Sequence, residues 1–150
     1  MTVVDTSAIV DFLIGDGVAE HVESLMVQEG ELAAPELLVF EVLAVLRRHT
    51  LRGHIAETRA AGALHDLGDL PLDLTPALPL RRRAWELRHN LTAADAIFVA
   101  LAERLGEPLA TKDSALARAA QQAGLVVMEL GAAGANRAPG LPTRPSERPV

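Results

Sequence analysis

Residues 91–125 read LTAADAIFVALAERLGEPLATKDSALARAAQQAGL, and the order of elements in them sets the fold class. Thr92 suits the N-cap of a helix and Asp95 the positive end of its first turn, while Gly106 and Pro108 stop it. "EPLAT" (107–111) then reads as a short buried strand. Asp113 caps a second helix that Gly124 closes. A helix, a strand and a helix in close succession are the repeating unit of a parallel sheet covered by helices.

The same alternation extends to the rest of the chain. "TVV" (2–4), "LAA" (32–34), "LPLDL" (70–74) and "LVVMEL" (125–130) have the character of short buried strands. Residues 36–50, ELLVFEVLAVLRRHT, put Leu38, Val42, Val45 and Leu46 on one helical face, with Pro35 where a first turn tolerates it. A further helix is expected over 55–67, between Gly53 and Gly68. The expected fold is therefore α/β, a central and mostly parallel sheet flanked by helices in three layers. There is no internal repeat.

Composition narrows the chemistry. The chain has 150 residues, enough for one domain with a sizeable core. It is 49% apolar but only 3% aromatic, so the core is aliphatic. Cysteine is absent, which excludes disulfides and thiolate metal sites. Neither a signal peptide nor the run of about 20 apolar residues that a membrane helix needs is seen, so the cytoplasm is the expected location. A net charge of −6 argues against coating nucleic acid by charge alone, but not against an enzyme acting on it. From residue 131 the sequence becomes rich in Pro, Gly, Ala and Arg. The reading is a domain over 1–130 and a flexible, basic tail over 131–150.

Four acids fall at places that matter. In an open parallel sheet, ligands bind at the carboxyl ends of the strands. Asp5 ends the first strand, Asp113 follows "EPLAT", and Asp95 lies in the first turn of its helix. Glu41 is the acid on an apolar stretch, between Phe40 and Val42. Taken singly, each has an ordinary reading as a helix cap or a surface residue. Taken together, they would repel and raise one another's pKa values, a conflict that a hard cation such as magnesium (Mg2+) or manganese (Mn2+) resolves. No nucleophile has an obvious partner: Ser7 lacks a nearby His or Lys, and the five His are scattered. The natural chemistry is metal-activated water attacking a phosphodiester.

"VVDTSAIV", "ELLVFEVLAVL", "LTAADAIFVALAERLGEPLATKDSALARAA" and "GLVVMEL" together resemble a PIN domain, more narrowly a VapC-type toxin ribonuclease of a toxin–antitoxin pair. The resemblance covers about residues 1–130 and implies the same α/β fold. Its acids fall on Asp5, Glu41, Asp95 and Asp113, with Asp5 and Asp95 at the usual metal-ligand positions and Asp113 and Glu41 completing the shell. Its supporting hydroxyls fall on Ser7 and Thr111. It implies an RNA substrate, a cognate antitoxin and a homodimer. Where relatives carry an aromatic shortly after Asp-Ala, this chain offers Phe98. Leu43, Leu46, Leu51 and Leu64 could serve an interface or the core. Arg47, Arg48, Arg52, the run Arg81-Arg82-Arg83 and Lys112 could contact RNA, although a charge run is more often a solvated helix face. The competing readings are a catalytically silent binding module and a metal-dependent phosphatase with Asp5 as nucleophile. The latter normally wants a second acid close after the first, and Asp11 is not two residues on.

Overall fold

Val3 and Val4 are fully buried, and so are Leu32, Ala33 and Ala34 on one side and Leu109 and Ala110 on the other. Strands buried on both faces read as continuous apolar runs rather than alternating ones, and this is the signature of a parallel sheet under helices. A computed structural model describes residues 1–131. The tail expected over 131–150 lies outside the described residues, apart from Gly131.

Five strands, β1 (Val3–Val4), β2 (Leu32–Pro35), β3 (Leu72–Thr75), β4 (Leu109–Thr111) and β5 (Val127–Glu129), form one sheet in the order β3-β2-β1-β4-β5. All neighbouring pairs are parallel, with Val3 opposite both Ala33 and Leu109. The order reverses at β1: the chain fills one side with β2 and β3, then returns to the other side with β4 and β5. A crevice for a ligand forms where neighbouring strands lead their connections in opposite directions. Here it lies beyond the carboxyl ends of β1 and β4, where Asp5 and Asp113 stand.

Among the described residues, seven α-helices accompany the sheet: α1 (Thr6–Ile14), α2 (Ala19–Glu29), α3 (Leu37–Leu51), α4 (Glu57–Asp69), α5 (Arg81–Glu86), α6 (Ala93–Leu105) and α7 (Ser114–Gln122). α6 matches its sequence signals closely. Thr92 accepts from the N–H of Asp95, and Gly106 closes the helix in the left-handed conformation at φ 68°. α3 buries Leu38, Val42 and Leu46, and Val45 is half-buried at the edge of that face.

Two helices were not evident in the sequence. α2 buries only Val22 and Leu25, too thin a stripe to announce itself. α5 has six residues and none is buried. The apolar candidates on α3 and α4 separate into two groups. Leu46 is 2% exposed and belongs to the core, not to an interface, whereas Leu51 is 70% exposed and Leu43 and Leu64 are also exposed.

Leu46→Ala is therefore expected to cost about 2–5 kcal/mol of folding stability, the same at low and high protein concentration. Leu51→Ala should stay within about 0.5 kcal/mol in the monomer. Urea denaturation at two concentrations measures both. A cost for Leu46→Ala that appears only at high concentration would return this residue to an interface.

Candidate active site

Asp5 leaves the sheet where β1 ends. Its N–H still donates to the carbonyl of Ala110 on β4, at 3.1 Å. Its side chain then caps α1, taking the N–H of Ala8 at 3.1 Å. Two hydroxyls complete its surroundings: Ser7 Oγ donates at 2.8 Å to Oδ2, and Thr111 Oγ1 donates to the same oxygen at 2.8 Å. The residue is 5% exposed. Burial pushes its carboxyl above the ordinary value and the charge of Asp113 adds to the rise, while the three hydrogen-bond donors oppose it.

Thr111 is a relay. Fully buried at the end of β4, it gives its proton to Asp5 and accepts the N–H of Asp113 at 2.9 Å. Asp113 in turn caps α7, with Oδ1 taking the N–H groups of Ala115 and Leu116. At α6, Thr92 and Asp95 form a reciprocal cap: Thr92 Oγ1 accepts from the Asp95 N–H at 3.1 Å and donates to Asp95 Oδ2 at 2.7 Å. Glu41 is reached from another helix, since Thr6 Oγ1 on α1 donates to its Oε2 at 2.7 Å. Burial raises the Glu41 carboxyl, and the charges of Asp95 and Asp5 raise it further against that hydrogen bond.

All four acids line one open cavity of about 500 Å3. α1, α3 and α6 each contribute one stripe to it, and α7 adds Leu116. α1 presents Ser7, Val10, Asp11 and Ile14; α3 presents Glu41, Val45 and Arg48; α6 presents Asp95 and Phe98. These spacings of three and four residues are those of a single helical face. Among the described residues, no three acidic or imidazole side chains already stand together as a closed ligand cage. The acids ring a volume, and they feel one another's charge across it.

Lys112 lines this cavity, bonded to Asp11 Oδ1 at 2.5 Å. Arg48 lines it too, whereas Arg81, Arg82 and Arg83 do not. Arg83 bonds Glu103 through two nitrogens and Glu86 through a third, Arg82 faces Glu86, and Arg81 donates to the carbonyl of Leu78. Four polar residues of the lining went unread as site residues in the sequence: Thr6, Asp11, Asp16 and His49. Asp11 carries a signal, because it lies four residues after Ser7 and so on the same face of α1.

Comparison with known proteins agrees with this arrangement. A PIN domain family model matches residues 2–122. Ribonuclease VapC1 of Mycobacterium tuberculosis is 44% identical over 118 residues, 78% of this chain and 89% of that protein. Ribonuclease VapC9 of the same organism is 36% identical over 81% of this chain and 92% of its own length. Ribonuclease VapC3 of Pyrobaculum aerophilum is 34% identical over 77% and 91%. Among solved structures, PAE2754 from Pyrobaculum aerophilum aligns with a TM-score of 0.63 at 25% identity, over 85% of this chain and 83% of that one. On the sheet order, the acid-lined cavity and a family match spanning most of its length, the chain belongs to the PIN-domain family.

Proposed function

We infer that this protein is an endoribonuclease of the VapC type, the toxin of a toxin–antitoxin pair, and that it hydrolyses RNA phosphodiesters with the help of a divalent cation. The observation that carries this is the gathering of Asp5, Glu41, Asp95 and Asp113 around one cavity at the switch point of the sheet. Burial and mutual charge make Asp5 and Glu41 reluctant to ionise. A cation relieves that reluctance, and an all-oxygen donor set fits Mg2+ or Mn2+.

Asp5 and Asp95 would hold the ion, with Glu41 and Asp113 completing its surroundings or holding waters. A carboxylate has about four acceptor positions. Three donors already engage Asp5, so little freedom is left in how it meets a ligand. Ser7, Thr111, Thr92 and Thr6 each fix a carboxylate by a hydroxyl proton. When bound, the cation supplies an acidified water and neutralises charge on the phosphate. Arg48 lines the cavity wall and would supply positive charge to neighbouring phosphates. The phosphatase reading loses ground, because a carboxylate 5% exposed and held on both oxygens is a poor attacking group. The exposed apolar side chains of Phe40, Leu43, Leu51 and Leu64 are what an antitoxin or a second copy would cover.

Incubated with total cellular RNA and Mg2+ or Mn2+, the antitoxin-free protein should yield discrete fragments. Asp5→Asn and Asp95→Asn, with folds intact by circular dichroism, should lose at least about 100-fold in rate, roughly 2.7 kcal/mol of transition-state stabilisation. Equal cleavage by the variants would sink the nuclease reading of this cavity.

The raised carboxyl of Asp5 also has a signature in the metal-free protein. A folded-state pKa above the unfolded one means that the native state holds the proton longer. The contribution to stability is thus lost as pH rises from about 4, the unfolded value, through the folded one. In a chelator, the melting temperature of Asp5→Asn relative to the wild type should therefore climb over that range. A difference independent of pH would show that the surroundings of Asp5 do not penalise its charge.

A further inference from the structure

Lys112 is the one lysine in the chain, and its position is hazardous. It lies between Thr111, which is bonded to Asp5, and Asp113, and it lines the same cavity as the four acids. A flexible ammonium beside so many carboxylates would be drawn in among them and would neutralise the charge that a cation needs. It is instead engaged elsewhere. Its Nζ stands 2.5 Å from Oδ1 of Asp11, on the α1 wall.

Asp11 is built into its place. It is 6% exposed, and its second oxygen, Oδ2, accepts the N–H of Val18 at 3.2 Å. Gly17 makes room for it: a Cβ there would stand 2.0 Å from Asp11 Oδ2. The backbone at Gly17 is also left-handed, with φ 50°, a conformation that glycine adopts freely. The loop between α1 and α2 is thus shaped around a carboxylate that makes no contact with the four cavity acids in its hydrogen bonds.

We propose that Asp11 is a positioning residue, which holds the Lys112 ammonium against the wall of the acidic cavity and out of its carboxylates, so that these stay available to a divalent cation. The proposal rests on the metal reading of the cavity. Its chemistry is that of a decoy: one buried acid takes the lysine, and the remaining acids stay unpaired.

Mn2+ affinity, read by calorimetric titration and by the shift of melting temperature with added ion, tests it. Asp11→Asn frees Lys112 and should weaken Mn2+ binding about 10- to 100-fold, the usual effect of disturbing a residue behind the ligands. Adding Lys112→Met to Asp11→Asn should restore wild-type affinity or better. Gly17→Ala, which pushes the Asp11 carboxylate aside without removing it, should weaken Mn2+ in the same direction, again with rescue by Lys112→Met. That variant keeps the test open should Asp11→Asn not fold. Rescue larger than the gain that Lys112→Met gives by itself is the outcome that a merely structural role for Asp11 would not produce. Wild-type affinity in both single variants, or weakened binding that Lys112→Met does not restore, overturns the proposal alone. Absence of Mn2+ binding by the wild type would overturn the metal reading and this proposal with it.

Discussion

A carboxylate buried at the end of the central strand is the constraint around which this molecule is arranged. β1 is covered on both faces and flanked by β2 and β4, so its two residues are apolar without alternation. Where it leaves the sheet, α1 begins at once, and the free N–H groups of the first turn require an acceptor. Asp5 supplies it. The same residue therefore meets a need of the fold and places a charge where a ligand can find it. Isolated, that charge would be costly. Ser7 and Thr111 offset part of the cost, and the upward displacement of its pKa shows that they do not offset all of it.

The rest of the site is tied to that point in sequence. Thr111 joins Asp5 to the start of α7, so the adjacency of β1 and β4 fixes how Asp5 and Asp113 are placed. The hydrogen bond from Thr6 to Glu41 joins α1 to α3. The device on the opposite wall is similar in kind: Asp11 and Lys112 link α1 to the turn after β4. α1 thus reaches, within nine residues, the α3 wall through Thr6 and the turn after β4 through Asp11.

This explains what could be read from the sequence and what could not. The buried strands announce themselves as apolar runs. The caps at Thr92 and Asp113 do so because a cap is a local event, decided by residues two or three apart. Three of the four acids stand at such caps, so their placement was legible from neighbouring residues alone. α2 and α5 bury too little to leave a period. Leu43 and Leu46 look alike in the sequence, but one is 45% exposed and the other 2%: Leu46 continues the buried row of Leu38 and Val42 at spacings of four, while Leu43 stands one residue, about 100° of turn, beyond Val42. In the sequence Asp11 figures only as a misplaced second acid for a phosphatase, since its partner lies 101 positions along the chain. The Arg81–Arg83 run gave a charge without its counter-charges, and Glu103, 20 positions from Arg83, supplies one of them.

Local and tertiary determination meet in the difference between Glu41 and the other three acids. Asp5 and Asp113 cap the helices they start, Asp95 is held in the first turn of α6 by Thr92, and Thr111 on β4 ties the first two to the sheet. Glu41 lies inside α3, caps nothing, and is held by a hydroxyl on a different helix. Its distance from the others depends on how α3 packs against α1, through the core face of Leu38, Val42 and Leu46. A small slide of α3 would therefore move Glu41 alone among the four acids, with Val45 and Arg48 beside it, and change the charge in the cavity without disturbing any cap. α3 also carries the exposed side chains of Phe40, Leu43 and Leu51. The exposed apolar surface of α3 and the cavity wall that Glu41 lines are thus two faces of one helix.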